Sequence, residues 1–168
     1  MPRRRIDRFL NEALESFSHF LKTADWRGKE RECVNLFAHK FLFDKIEPGA
    51  AIECPTQVSI ECSLKQPAQF ANRVACKDLV IWQRPLQTTW SKTWEPIHSP
   101  KAVMEWKVYR DHLPRAVFNR HDEDWVASYT ADQVGSFGYL VSVDYAADEP
   151  TVYWKQAQRG VFSKVRCV

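Results

Sequence analysis

Ala102-Val103-Met104-Glu105-Trp106-Lys107-Val108 is the stretch on which the reading of this chain turns. It alternates in the manner of a strand, so Glu105 and Lys107 share one face while Met104, Trp106 and Val108 share the other. At a rise of about 3.3 Å per residue, the Cβ atoms of Glu105 and Lys107 lie roughly 6.5–7 Å apart. That spacing is too long for a tight ion pair. It suits two groups that converge on one water or one metal ion.

Working outward, residues 102–109 form a third strand. Residues 57–63 alternate Val58, Ile60 and Cys62 against Ser59, Glu61 and Ser63, which predicts a half-buried first strand. Residues 73–83 form a second strand that ends in Leu79-Val80-Ile81-Trp82, with Asp78 just before that run. Asp is depleted from strand interiors, so Asp78 needs a reason to be there. A polar connection over 84–99 carries Trp90 and Trp94. A helix is expected over 122–134 with Gly135 as its cap. Its first-turn acids Asp122, Glu123 and Asp124 read as complements to the helix dipole rather than as a metal cluster. Strands follow over 138–145 and 151–158, with a last short one within 161–168.

Upstream, Ile6, Phe9, Leu10, Ala13, Leu14, Phe17, Phe20 and Leu21 recur at helical spacing. A second helix is expected over about 27–43, its apolar stripe made by Val34, Phe37, Ala38 and Phe41. Glu30 extends that stripe at the helix start, whereas Glu32 falls beside it. The element order is α-α-β-β-β-α-β-β. Three meandering strands and a right-handed βαβ crossover predict a mixed sheet flanked by helices.

The 168 residues, 45% hydrophobic and 27% charged, suit one globular domain over 1–168. A net charge of +3 permits nucleic acid as a partner without arguing for it. Cys33, Cys54, Cys62, Cys76 and Cys167 are odd in number and include no CxxC, so they read as free, mostly buried thiols of a reducing compartment. The basic start, Met1 to Arg5, runs into an amphipathic pattern and not an apolar signal core, and no apolar run approaches the ~20 residues of a membrane span. A cytoplasmic protein without membrane contact is expected. The five histidines are scattered, and no nucleophile-His-acid set can be built from them.

Three features are out of place together: Glu30 at a helix start, Asp78 on the second strand, and Glu105-Trp106-Lys107 on the third. Their order, with Lys77-Asp78-Leu79-Val80-Ile81 and Val103-Met104-Glu105-Trp106-Lys107-Val108 around them, resembles the PD-(D/E)xK nuclease superfamily. Lys29-Glu30-Arg31-Glu32-Cys33-Val34 is similar to the opening helix of its junction-resolvase branch, in which the first acid of the pair belongs to the active site. The resemblance implies an α/β, restriction endonuclease-like fold. Its αβββαβ core would cover about 27–145, with an extra N-terminal helix and extra C-terminal strand(s). Lys77 departs from the proline that the family often has there, and the gap from Asp78 to Glu105 is long.

The resemblance also implies a chemistry. Mg²⁺ (or Mn²⁺) prefers oxygen ligands, usually one or two carboxylates plus waters and phosphate oxygens. Asp78, Glu105 and the main-chain carbonyl of Trp106 would hold it, and Glu30 would hold a metal-bound water or a second ion. Lys107 would hold the attacking water or meet charge developing on the phosphate. Without metal, the clustered carboxylates should raise the pKa of one of them. Arg73, Lys77, Arg84, Lys101, Arg110, Arg115 and Arg120 are candidates to meet a DNA backbone. Trp90 and Trp94 would stack on bases or sugars, fold back on the core, or form a homodimer contact. The expected function is a Mg²⁺-dependent DNA nuclease of repair, restriction or recombination. The alternatives are a catalytically silent nucleic-acid-binding or complex-forming protein on the same fold, or a small-ligand or protein-interaction α+β domain in which Glu105 and Lys107 are a solvated pair.

Overall fold

Seven strands form one mixed sheet with helices against both of its faces. The structure is a computed structural model that describes residues 6–70, 76–87, 90–113, 116–146 and 148–168. The helices are α1 (Ile6–Thr23), α2 (Glu30–Leu36) and α3 (Arg120–Asp132). The strands are β1 (Val58–Ser63), β2 (Cys76–Ile81), β3 (Ala102–Tyr109), β4 (Phe137–Asp144), β5 (Thr151–Gln158), β6 (Val161–Phe162) and β7 (Arg166–Cys167). Their spatial order is β1-β2-β3-β4-β5-β6, with β7 also paired to β5. The meander β1-β2-β3 is antiparallel, and β3 and β4 are parallel with α3 connecting them, as the element order predicts. The strand expected at 102–109 coincides with β3, and the last stretch resolves into two short strands.

The alternation of β3 places its two rows in two different cores. Ala102, Met104 and Trp106 enter the larger core, with α1, Cys33 and Val34 of α2, and Phe137, Tyr139 and Val141 of β4. The Trp106 ring meets Phe17 edge-on, with centroids 5.5 Å apart, and tilts against Phe37 at 5.1 Å. Aromatic pairs of this kind add about 0.5–1.5 kcal/mol beyond area burial. Val103 enters the smaller core, with Trp125, Val126 and Tyr129 of α3 and Val80, Trp82 and Leu140. The α3 face is therefore the one to which Glu105 and Lys107 belong.

The second helix differs from expectation. It starts at Glu30, and after Leu36 it widens into a π-helical stretch, Phe37–Leu42, and a 3₁₀ turn, Phe43–Lys45. Phe37, Ala38, Phe41 and Leu42 are all buried, so the apolar stripe is real while its helix type is not what the spacing suggests. Of the five free cysteines only Cys33 and Cys62 are buried. Cys76 and Cys167 are exposed, which corrects the expectation of mostly buried thiols. No helix among the described residues is long and apolar enough to cross a membrane.

One irregularity shapes everything that follows. The β1–β2 register runs through Ile60↔Leu79 and Cys62↔Lys77, but Glu61 and Asp78 between them are not paired. Glu61 has φ 51°, a left-handed conformation that costs a residue other than glycine. Leu79 packs in the larger core, yet Lys77, two residues away, reaches Trp125 of α3 on the other side. The ribbon is thus kinked at Asp78. Beyond the kink β2 leaves β3, and the two pair only at Leu79↔Met104, Val80↔Val103 and Ile81↔Ala102. β3 continues beside β4 as far as Tyr109. The result is a fork in which Glu105, Trp106 and Lys107 have no ladder partner on β2.

Candidate functional site

Asp78 sits in the throat of this fork. Its Oδ2 accepts a hydrogen bond of 2.7 Å from the Trp106 amide, replacing a ladder bond that β2 no longer makes. This is the physical reason for an acid inside an apolar strand. In an antiparallel pair the N–H and C=O of one residue point to the same neighbour. The Trp106 carbonyl accordingly also faces the opening, where it accepts from Lys107 Nζ at 2.8 Å.

Lys107 is the hub of the cluster. Its ammonium lies 3.5 Å from Glu30 Oε2 at the start of α2 and 3.8 Å from Asp122 Oδ2 in the first turn of α3. Burial works against its charge, but Glu30, Asp122, Asp78 and Glu105 together outweigh that effect and hold the lysine above its usual pKa. Lys107 is therefore a cation here, suited to holding a water or countering negative charge and not to taking up a proton. Glu32 is exposed, and its carboxylate accepts from the Lys29 amide at 2.7 Å as a helix cap. Of the two candidate acids on this helix, Glu30 is the one in the cluster.

Glu105 departs from the simple picture of convergence with Lys107. Its side chain is only 7% exposed and is hydrogen-bonded by Lys77, itself 6% exposed. The Lys77 ammonium also lies 3.7 Å from the centroid of the Trp125 ring. Lys77 is thus a buried partner of Glu105, and its expected role at a DNA backbone is corrected: the kink turns it inward. Burial pushes the Glu105 carboxyl up to about 8, with Lys77 opposing and Asp78 adding to the rise. Burial also raises Glu30, against the lowering effect of Lys107. A raised carboxyl was expected from the clustering of like charges; two are raised, and burial is the larger cause in both.

Asp122 is the residue that sequence reasoning missed. An acid in the first turn of a helix has an ordinary explanation in the dipole, and α3 is already capped by Asn119, whose side chain accepts from the His121 amide at 2.8 Å. Glu123 is indeed spent elsewhere, on Lys155, and Asp124 is exposed. Asp122 Oδ2, however, is buried without a hydrogen-bond partner among the described residues. The buried Ser142 hydroxyl likewise lacks one, and Ser142 is the register partner of Lys107 on β4.

The other expected contacts divide by position. Arg73 and Arg115 lie outside the described residues. Arg84 and Lys101 belong to the opposite end of the sheet, since the Lys101 amide bonds Ile81 O where β2 ends and β3 begins, and Leu86 bonds Thr56 just before β1. Lys101 Nζ is held by Gly135 O. Trp90 packs against the smaller core, and Trp94 stands 77% exposed on a turn. Arg110 and Arg120 are exposed at the fork end.

The donor set is hard oxygen throughout: Asp78, Glu105, Glu30, Asp122 and the Trp106 carbonyl. Four carboxyl groups face two lysines, so the cluster becomes net negative once Glu105 and Glu30 give up their protons. No three His, Cys, Asp or Glu side chains among the described residues are gathered closely enough to hold a metal by themselves. Mg²⁺ commonly needs only one or two carboxylates, taking waters and phosphate oxygens for the rest. The residues therefore fit an ion that binds with its substrate better than a closed metal cage. No known family, curated protein or solved structure matches the chain.

Proposed function

We propose that this protein is a divalent-metal-dependent nuclease that hydrolyses DNA phosphodiester bonds, built on a PD-(D/E)xK-like, restriction endonuclease-like arrangement. The observation that carries the reading is the fork itself. An acid on β2, an acid and a lysine on β3 and an acid on α2 meet at one kink. The α-β-β-β-α-β order from α2 to β4 supports the same reading.

In this scheme Asp78, Glu105 and the Trp106 carbonyl would hold Mg²⁺ or Mn²⁺, with Glu30 alongside. When bound, such an ion polarises the phosphate and makes a bound water more acidic. The Trp106 amide fixes the Asp78 carboxylate in the throat. Lys107, kept charged by Glu30 and Asp122, holds the attacking water or counters the charge that develops on the phosphate. The Trp106 ring, locked between Phe17 and Phe37, keeps the β3 edge in place.

Supercoiled, linear, single-stranded and branched DNA incubated with Mg²⁺ or EDTA tests this reading. Asp78→Ala, Glu105→Gln and Lys107→Ala should each lower metal-dependent cutting by about 10²–10³-fold, the scale for loss of one group that stabilises transition-state charge. Millimolar Mn²⁺ should also raise the Tm of the wild type. Cutting that survives all three substitutions would remove the proposal.

The buried Lys77–Glu105 pair favours a second reading, in which lysine stands permanently where a metal would and the protein binds DNA without cutting it. That reading predicts salt-dependent DNA binding, no metal-induced rise in Tm and no cleavage.

A further inference from the structure

A cavity of about 380 Å³ opens at the start of α2 and the end of β3, beside the fork and opposite to it in charge. Arg27, Gly28, Lys29, Glu32, Arg110 and Tyr145 line it. Three cations face one carboxylate, and that carboxylate is already engaged by the Lys29 amide. Arg27 is held in place: its Nη1 donates to Tyr145 O at 2.9 Å, and its guanidinium lies 5.5 Å from the centroid of the Tyr145 ring. Tyr145 is buried, and its hydroxyl accepts from the Gly28 amide at 3.4 Å, which fixes the floor. Lys29 and Arg110 have no ion-pair partner among the described residues. Two cations without partners and one oriented guanidinium around a concavity are the elements of an oxyanion site.

Its place relative to the fork decides the ligand. Lys29 directly precedes Glu30, and Arg110 follows Lys107 by three residues, about 10 Å at the strand rise. Successive phosphates of one strand lie roughly 6–7 Å apart, about twice the axial advance per nucleotide, so the cavity lies one or two nucleotides from a phosphate placed at the fork. We infer that this cavity is a phosphate-binding subsite, which takes a phosphate of a nucleic-acid strand one or two nucleotides from the phosphate that lies at the fork. The choice of ligand rests on the nuclease reading. The cationic cavity itself does not.

Fluorescence anisotropy with a labelled single-stranded oligonucleotide in EDTA tests the subsite without requiring cleavage. Lys29→Gln and Arg110→Gln should each weaken binding about 5-fold and lower the salt slope by about 0.7, while Arg84→Gln at the far end of the sheet should leave both unchanged. Binding by both pocket variants equal to wild type overturns the subsite, as does an equal loss in Arg84→Gln or a wild type that binds no DNA. Oligonucleotides with and without a 5′-phosphate identify the source of the phosphate. Affinity lost on its removal from wild type, but not from the double variant, assigns a strand end. Unchanged affinity assigns an internal phosphate. Added Mg²⁺ separates the two claims. Pocket-dependent binding without cutting removes the nuclease reading and keeps the subsite, whereas cutting with pocket-independent binding does the reverse.

Discussion

Lys77 and Glu105 form a buried pair, and the effect of breaking it depends on what is left behind. Lys77→Met leaves the Glu105 carboxyl buried without its partner and should destabilise the protein by about 1–3 kcal/mol. Lys77→Met with Glu105→Leu removes both polar groups and should recover most of that loss in urea denaturation. A neutral single variant would mean that the pair does not form. The pH dependence has a definite sign. Glu105 and Glu30 bind their protons more tightly in the folded protein than an ordinary glutamate, whose value is near 4.5. The contribution of these two groups is thus fully present below that value and is lost as pH rises through about 8, where Glu105 must charge while buried. Metal-free Tm should fall between those limits, and Glu105→Gln should flatten the decline in thermal scans. Glu30, Asp78, Glu105 and Lys107 could be singled out in the sequence because each is a polar group in an apolar pattern. Lys77 and Asp122 could not. Strict alternation places Lys77 with Leu79, and only the kink turns it across. Asp122 has the commonplace excuse of a helix start.

At the scale of elements, β3 and β5 were legible to the residue because unbroken alternation leaves one way to pair them. The π-helical stretch was not, since a buried stripe at three- and four-residue spacing does not report how wide the helix is. The fork was hidden for a different reason. It depends on Glu61 adopting φ 51°, and nothing in Ile60-Glu61-Cys62 announces a left-handed residue. The seat of α3 on β4 hinges on one glycine. A Cβ at Gly138 would stand 2.3 Å from Val126 Cγ1 and 3.1 Å from Thr130 Cγ2. Gly138→Ala should therefore push α3 outward and cost about 1–3 kcal/mol in chemical denaturation. Val126→Ala in the same chain should recover part of it. On the nuclease reading, a larger loss of cutting than of stability would follow from the displacement of Asp122, which α3 carries.

For the whole molecule, the mixed sheet with helices on both faces followed from element order, because a helix between parallel strands has to cross over. The substrate class is a matter of charge placement and not of topology. The sheet divides the interior in two, with α2 on one side and α3 on the other, and the two helical layers approach each other where β2 has turned away. Lys107 bridges that gap, touching Glu30 from one layer and Asp122 from the other. It behaves as a rivet through the sheet's edge. Because the joint is partly exposed, with the Lys107 side chain 32% accessible, its strength is modest, about 1 kcal/mol or less. Its loss should leave global unfolding nearly unchanged but quicken amide exchange in the first turns of α3 by a few-fold, while β4 keeps its protection. A side chain proposed to serve chemistry would then also set how readily one flank of the protein peels from the other.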